Sequence, residues 1–143
     1  MKSSLFHKTP GWVPIGAPFH VRLRVDRETP SLLTDVMLAP HIMEAARCYH
    51  ADRRWWLKLM VLMPDHVHMI VSFPGEPGMS RTIASWKAYL AKSHGVRWQS
   101  NYFDHRLRHD DEYVEKAHYL RMNPVRARLC QSPEDWKWTL ECS

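Results

Sequence analysis

VLMPDHVHMIVSF, residues 61–73, is the stretch that decides the architecture. WWLKLMVL (55–62) and HVHMIVSF (66–73) are apolar runs of strand length, separated only by Met63, Pro64 and Asp65. So short a connection joins antiparallel neighbours, because a parallel crossover needs about a dozen residues or more. Side chains alternate between the two faces of a strand. Val67, Met69 and Val71 therefore share a face that the pattern assigns to the core, and His66 and His68 project together from the other. Their backbone positions lie roughly 6–7 Å apart.

Working outward from this hairpin, FHVRLRVD (19–26) alternates strictly, with Phe19, Val21, Leu23 and Val25 on one face and His20, Arg22 and Arg24 on the other. This predicts a half-buried strand with a cationic face. A helical stripe of Leu32, Leu33, Val36, Met37, Ile42, Ala45 and Ala46 predicts helix over 31–49, with Pro40 kinking it or starting a second helix. Helix is also expected over 79–93, capped by Gly95. Residues 98–107 read as another strand. Asp110, Asp111 and Glu112 open a last helix with acidic residues in its first turn, as the helix dipole favours. It is expected to end near Asn123-Pro124, because the residue before proline is biased away from helix.

The expected fold is α+β: a ferredoxin-like β-α-β-β-α-β antiparallel sheet with helices on one face, plus an additional C-terminal tyrosine-bearing helix. The other sheet face is expected to be free for chemistry. With no internal repeat, low-complexity stretch or long linker, residues 1–143 read as one domain.

Hydrophobic content of 45%, with seven Trp and eight Met, describes a globular chain and not a disordered one. No apolar run approaches the roughly 18 residues that span a bilayer. MKSSLFHKTPGW, at the start, lacks the apolar core of a signal peptide. Cys48, Cys130 and Cys142 are odd in number and far apart, which argues against a disulfide framework or a cysteine zinc site. A cytoplasmic protein without membrane contact is expected. Twenty Lys+Arg against fifteen Asp+Glu give a net charge of +5, which suits a polyanionic partner.

Two imidazoles at i and i+2 on one strand can converge on a divalent metal. A bare H-x-H also describes two unrelated polar positions on a half-exposed strand, so the pair alone leaves both readings open. The last helix adds a second element. At 100° per residue Tyr113, Val114, Ala117 and Leu120 form its apolar face, while Tyr119 lies nearly opposite, one turn before Asn123. An outward tyrosine and an asparagine before proline are ordinary features. They also supply a nucleophile and an oxygen ligand on one surface, able to complete a metal site with positions open for phosphate and water.

Taken together, PDHVHMIVSFP, WQSNYFDHRLR and YVEKAHYLRMNPVRARL, in this order and spacing, resemble the REP-associated tyrosine transposases. Those are single-tyrosine HUH enzymes (His, hydrophobic residue, His) related to small insertion-sequence transposases. The resemblance spans roughly residues 19–136. It implies His66 and His68 as metal ligands, Asn123 as the third ligand and Tyr119 as the nucleophile. The implied cofactor is a divalent metal, Mg2+ or Mn2+, and the implied partner is single-stranded or hairpin DNA. The implied activity is metal-dependent cleavage and rejoining of single-stranded DNA through a covalent 5′-phosphotyrosine link. Relatives of this kind include monomers and homodimers, and the residues do not choose between them.

Arg22 and Arg24 are candidates for DNA phosphate contact, as are His105, Arg108, Lys116, Arg121 and Arg126. Arg97, Arg106 and Arg128 are further phosphate candidates, whereas Trp98 and Tyr102 read as core before base-stacking positions. Two other functions stay open: a non-catalytic single-strand-binding ferredoxin-like module, and a metal-dependent nuclease using water in place of tyrosine.

Overall fold

The structure, a computed structural model, describes residues 16–142, so the N-terminal stretch read for a signal sequence lies outside it. The elements are β1 (Phe19–Arg24), α1 (Ala39–Ala51), β2 (Trp56–Leu62), β3 (His66–Ser72), α2 (Met79–His94), β4 (Phe103–Arg106), α3 (Asp110–Arg121), α4 (Asn123–Arg126) and β5 (Thr139–Leu140). The sheet runs β4-β1-β3-β2-β5 with antiparallel pairing throughout. The first four strands have the order expected of the ferredoxin-like arrangement. β5, which the sequence did not reveal, adds two residues beside Met60 and Val61 at the β2 edge.

The alternation in β1 and β3 works as the pattern requires. Val21, Leu23, Val67, Met69 and Val71 are buried in one large core with Ile42 and Ala46 of α1 and Ile83, Trp86 and Leu90 of α2. Trp86 lies between Trp55 and Trp98, its ring tilted against each at centroid distances of 5.4 and 5.9 Å, which places Trp98 in the packing. Gly95 ends α2 in the left-handed conformation (φ 73°), where its N–H reaches Ala91 O and the next N–H reaches Leu90 O. A residue without Cβ adopts that conformation without strain.

Several boundaries differ from expectation. Helix begins at Ala39 and not near residue 31, with Pro40 in its first turn, where a missing N–H removes no helical bond. Before it, the Asp35 carboxylate accepts the Met37 N–H at 2.9 Å, and Leu33 N–H donates to Pro64 O at 2.8 Å. That local turn and the tether to the β2–β3 connection compete with helix, and they leave Leu32, Val36 and Met37 exposed. Strand over 98–107 contracts to β4, with Trp98 making one isolated bridge to Val25. The tyrosine-bearing α3, by contrast, ends at Arg121, beside Asn123-Pro124 as expected. The chain turns at Met122, and Pro124 opens the short α4.

The second sheet face is not wholly free. Leu59, Val61, Met63 and Ile70 pack there against Leu107, Ala117 and Leu120, with Tyr113 and Trp136 at the margin. α3 therefore covers the β2 side of this face and leaves the β1 side open. The helix uses a narrower stripe than expected, because Val114 is 62% exposed while Leu120 is fully buried. Leu120→Ala should thus cost about 2–5 kcal/mol in a urea titration. Val114→Ala should stay within about 0.5 kcal/mol of wild type. Equal losses would contradict this orientation of α3.

Candidate active site

The register of β1 on β3 builds the site. Arg22 pairs with His68, Arg24 with His66, and His20 with Ile70. On the other side of β1, His105 pairs with His20 and Phe103 with Arg22. Paired residues share a face, so this register lays imidazoles and guanidiniums side by side on the face that α3 only partly covers. His20, Arg22, Arg24, His66, His68, Phe103, Lys116, Tyr119 and Asn123 line one open cleft of about 500 Å³.

The histidines are held through their Nδ1 atoms. Asp65 Oδ1 lies 2.7 Å from His66 Nδ1, and His20 Nε2 lies 3.0 Å from His68 Nδ1. The His66 and His68 rings stand nearly perpendicular, with centroids 4.8 Å apart. Burial, followed by the neighbouring His66, His20, Arg22 and Arg24, pushes the His68 pKa down to about 2. Burial also lowers His66, outweighing the opposite pull of Asp65. His20 is pushed down to about 4 by burial first, then by Lys116, Arg22 and His105. All three rings are therefore neutral near pH 7, and neutral imidazole is the form that ligates metal.

Tyr119 and Asn123 approach from α3 and α4. Tyr119 is 53% exposed, as the helical pattern indicated. Its ring lies beneath the Arg126 guanidinium at 3.7 Å, with Lys116 Nζ at 5.4 Å. Arg126 also donates to the Tyr119 carbonyl at 2.7 Å and to Asn123 Oδ1 at 3.0 Å, which joins the two residues across the α3–α4 turn. Among the described residues no group of three or more His, Cys, Asp or Glu side chains is placed to hold a metal ion, and the cleft sets the Asn123 amide beside the His66 and His68 rings. Asn123 Oδ1 accepts one bond from Arg126 and keeps a second lone pair. Two imidazole nitrogens and one amide oxygen are a donor set that fits a divalent ion.

The other candidates separate. Arg22, Arg24 and Lys116 line the cleft, and among the described residues none of them forms a salt bridge. Arg126 holds the tyrosine. Arg121 instead makes a two-pronged pair with Glu141 at 2.9 and 3.0 Å, fastening the C-terminal segment to α3. Arg97 pairs with Glu28 at 3.0 Å. His105 bonds Glu112 at 2.7 Å, and the same carboxylate accepts the Arg108 N–H at 2.8 Å. His105 and Glu112 thus tie the start of α3 to β4, while Arg108 lies outside the cleft lining. The sequence reading missed His20 and Asp65 as supports of the histidine pair. The position of His20 on the cationic face of β1 was legible, but its cross-strand neighbour was not.

The Glu112 carboxyl titrates below its usual range because the Arg108 N–H and then His105 favour the anion. A carboxyl lowered by folding stabilises the fold above its unfolded pKa of about 4.3, and that contribution is lost as pH falls through the folded value. Glu112→Gln should therefore lower the urea midpoint at pH 7, with the gap to wild type closing as pH falls below the usual carboxylate range. A gap unchanged by acid would remove the carboxylate from this role.

No protein-family model matches the chain. Over 125 residues, 85% of this chain and 73% of the relative, it is 26% identical to a REP-associated tyrosine transposase of Escherichia coli (strain K12). A solved structure of a REP-associated tyrosine transposase bound to a REP hairpin shares the fold with a TM-score of 0.77. That match covers 94% of this chain and 82% of that one at 20% identity. The chain is thus similar in sequence to a REP-associated tyrosine transposase and shares its fold with a solved one.

Proposed function

We propose that the protein cuts and rejoins single-stranded DNA, next to hairpins, through a covalent 5′-phosphotyrosine link on Tyr119. The observation that carries this reading is the meeting of His66, His68, Asn123 and Tyr119 in one cleft rimmed by Arg22, Arg24 and Lys116. A transposase relative, and a similar fold seen with hairpin DNA in another protein, support the choice of substrate.

In this mechanism His66, His68 and Asn123 would hold a divalent ion, Mg2+ or Mn2+, with positions left open for phosphate and water. When bound, that ion supplies Lewis-acid polarisation of the scissile phosphate. Arg22, Arg24 and Lys116 neutralise the DNA backbone on either side and fix the strand in the cleft. Arg126 orients the Tyr119 ring from above, and the Tyr119 oxygen attacks the phosphorus. The P–O3′ bond breaks, the 5′ phosphate stays on Tyr119, and the net proton movement is from the phenol to the freed 3′ hydroxyl. The tyrosine ester retains the phosphodiester's energy, so a later 3′ hydroxyl attacks the same phosphorus and returns Tyr119 as a phenol. Asp65 and Glu112 stay outside these bond changes, holding His66 and the start of α3.

The deciding experiment is a denaturing gel of the protein with end-labelled hairpin-flanked single strands, with Mn2+ and with chelator. The expected result is a metal-dependent protein–DNA adduct that disappears in Tyr119→Phe. Cutting that persists in Tyr119→Phe without an adduct would establish the hydrolytic nuclease. Binding without cutting at any tested flank would establish the single-strand-binding module.

The basic rim gives a separate prediction. Arg22→Ala and Arg24→Ala should each weaken binding at all sequences and reduce the slope of log K against log salt by about 1. Fluorescence anisotropy at several salt concentrations measures it, and an unchanged slope would place DNA elsewhere on the surface.

A further inference from the structure

We propose that His20 is a positioning residue that makes His68 competent to hold a metal ion. The inference rests on the metal reading of His66 and His68 given above. His20 and His68 are 5% and 7% exposed, their rings are stacked with centroids 5.2 Å apart, and His20 Nε2 lies 3.0 Å from His68 Nδ1. A neutral imidazole carries one N–H donor and one lone-pair acceptor. The contact therefore exists in two forms with opposite consequences.

When His20 donates, His68 carries its own proton on Nε2, and no lone pair remains there for a metal. When His68 donates from Nδ1, its Nε2 lone pair is free. Only the second form ligates. It requires His20 to be protonated on Nδ1 and to accept through Nε2. Among the described residues the buried His20 Nδ1 has no hydrogen-bond partner, so no neighbour fixes that ring in the opposite tautomer. The productive form places an unpaired N–H there, whose cost metal ligation has to offset. Ligation at His68 can thus select the productive form.

The two ligands are supported differently. Asp65 grips His66 Nδ1 with an exposed carboxylate from the hairpin turn, while His20 serves His68 from the adjacent strand inside the sheet. A neutral acceptor suits the deeper position, because a buried carboxylate there would carry a larger desolvation cost. Removing His20 leaves the His68 N–H buried without an acceptor, and the ring loses both its orientation and its tautomer.

The test is Mn2+ binding by the free protein without DNA, followed by calorimetry, for wild type, His20→Phe, His20→Gln and a His66→Ala/His68→Ala double variant. Phe keeps the ring volume without an acceptor; Gln restores an acceptor near the Nε2 position. Affinity should fall about 10–100-fold in His20→Phe and recover most of the way in His20→Gln. His20→Phe binding Mn2+ as tightly as wild type would overturn the role of His20 while leaving the metal site intact. Wild type that binds no better than the double variant would overturn the metal reading itself, and this inference with it.

Should His20→Phe fail to fold, long-range 1H–15N spectra of Mg2+-saturated wild type decide the matter. His20 protonated on Nδ1 and His68 protonated on Nδ1 are expected. His20 protonated on Nε2 would overturn the proposal.

Discussion

The pairing of β1 with β3 is the constraint on which the rest depends. Setting Arg22 against His68 and Arg24 against His66 brings a cationic strand alongside the histidine strand. A shift by one residue would turn Val21 and Leu23 out of the core and remove the guanidiniums from the histidines at once. The large core under α1 and α2 therefore enforces the geometry of the opposite face, because the register that buries Val67 and Met69 also aims His66 and His68. Stability and site geometry share one set of backbone bonds.

On the open face, the site combines neutral nitrogens with cations that form no salt bridge among the described residues. Burial keeps His20, His66 and His68 uncharged, and the nearby arginines reinforce this by making another positive charge costly. Such an arrangement favours anions at its rim and leaves lone pairs at its centre. Under the proposed reading those tasks fall to a DNA phosphate and to a divalent ion. Acidic residues take part at one remove: Asp65 holds His66, Glu112 holds His105 and the Arg108 backbone, and Glu141 fastens Arg121.

α3 has two functions on one short helix. Ala117 and Leu120 anchor it to the sheet, and Tyr119 between them faces the cleft. Its anchor is small, so added ties matter: Glu112 to His105 at the start and Arg121 to Glu141 at the end. Arg126 then returns across the turn to cover the Tyr119 ring. Several cations that looked equivalent in the sequence therefore have different partners. Arg22, Arg24 and Lys116 face the cleft, Arg121 and Arg97 are in ion pairs, and Arg126 braces the tyrosine.

The sequence by itself determined the elements whose signals are local. The antiparallel hairpin, the alternation of β1, the Gly95 cap and the outward turn of Tyr119 all follow from periodicity and turn chemistry within a few residues. The family resemblance was legible in the same way, because its motifs are contiguous. Tertiary structure alone decided the beginning of α1, where the tether of Leu33 to Pro64 prevailed over an apolar stripe. It also decided the coverage of the second face by α3, the addition of β5 and the contact of His20 with His68. Each of these depends on groups far apart in the chain, and no local pattern encodes which distant group a side chain will meet.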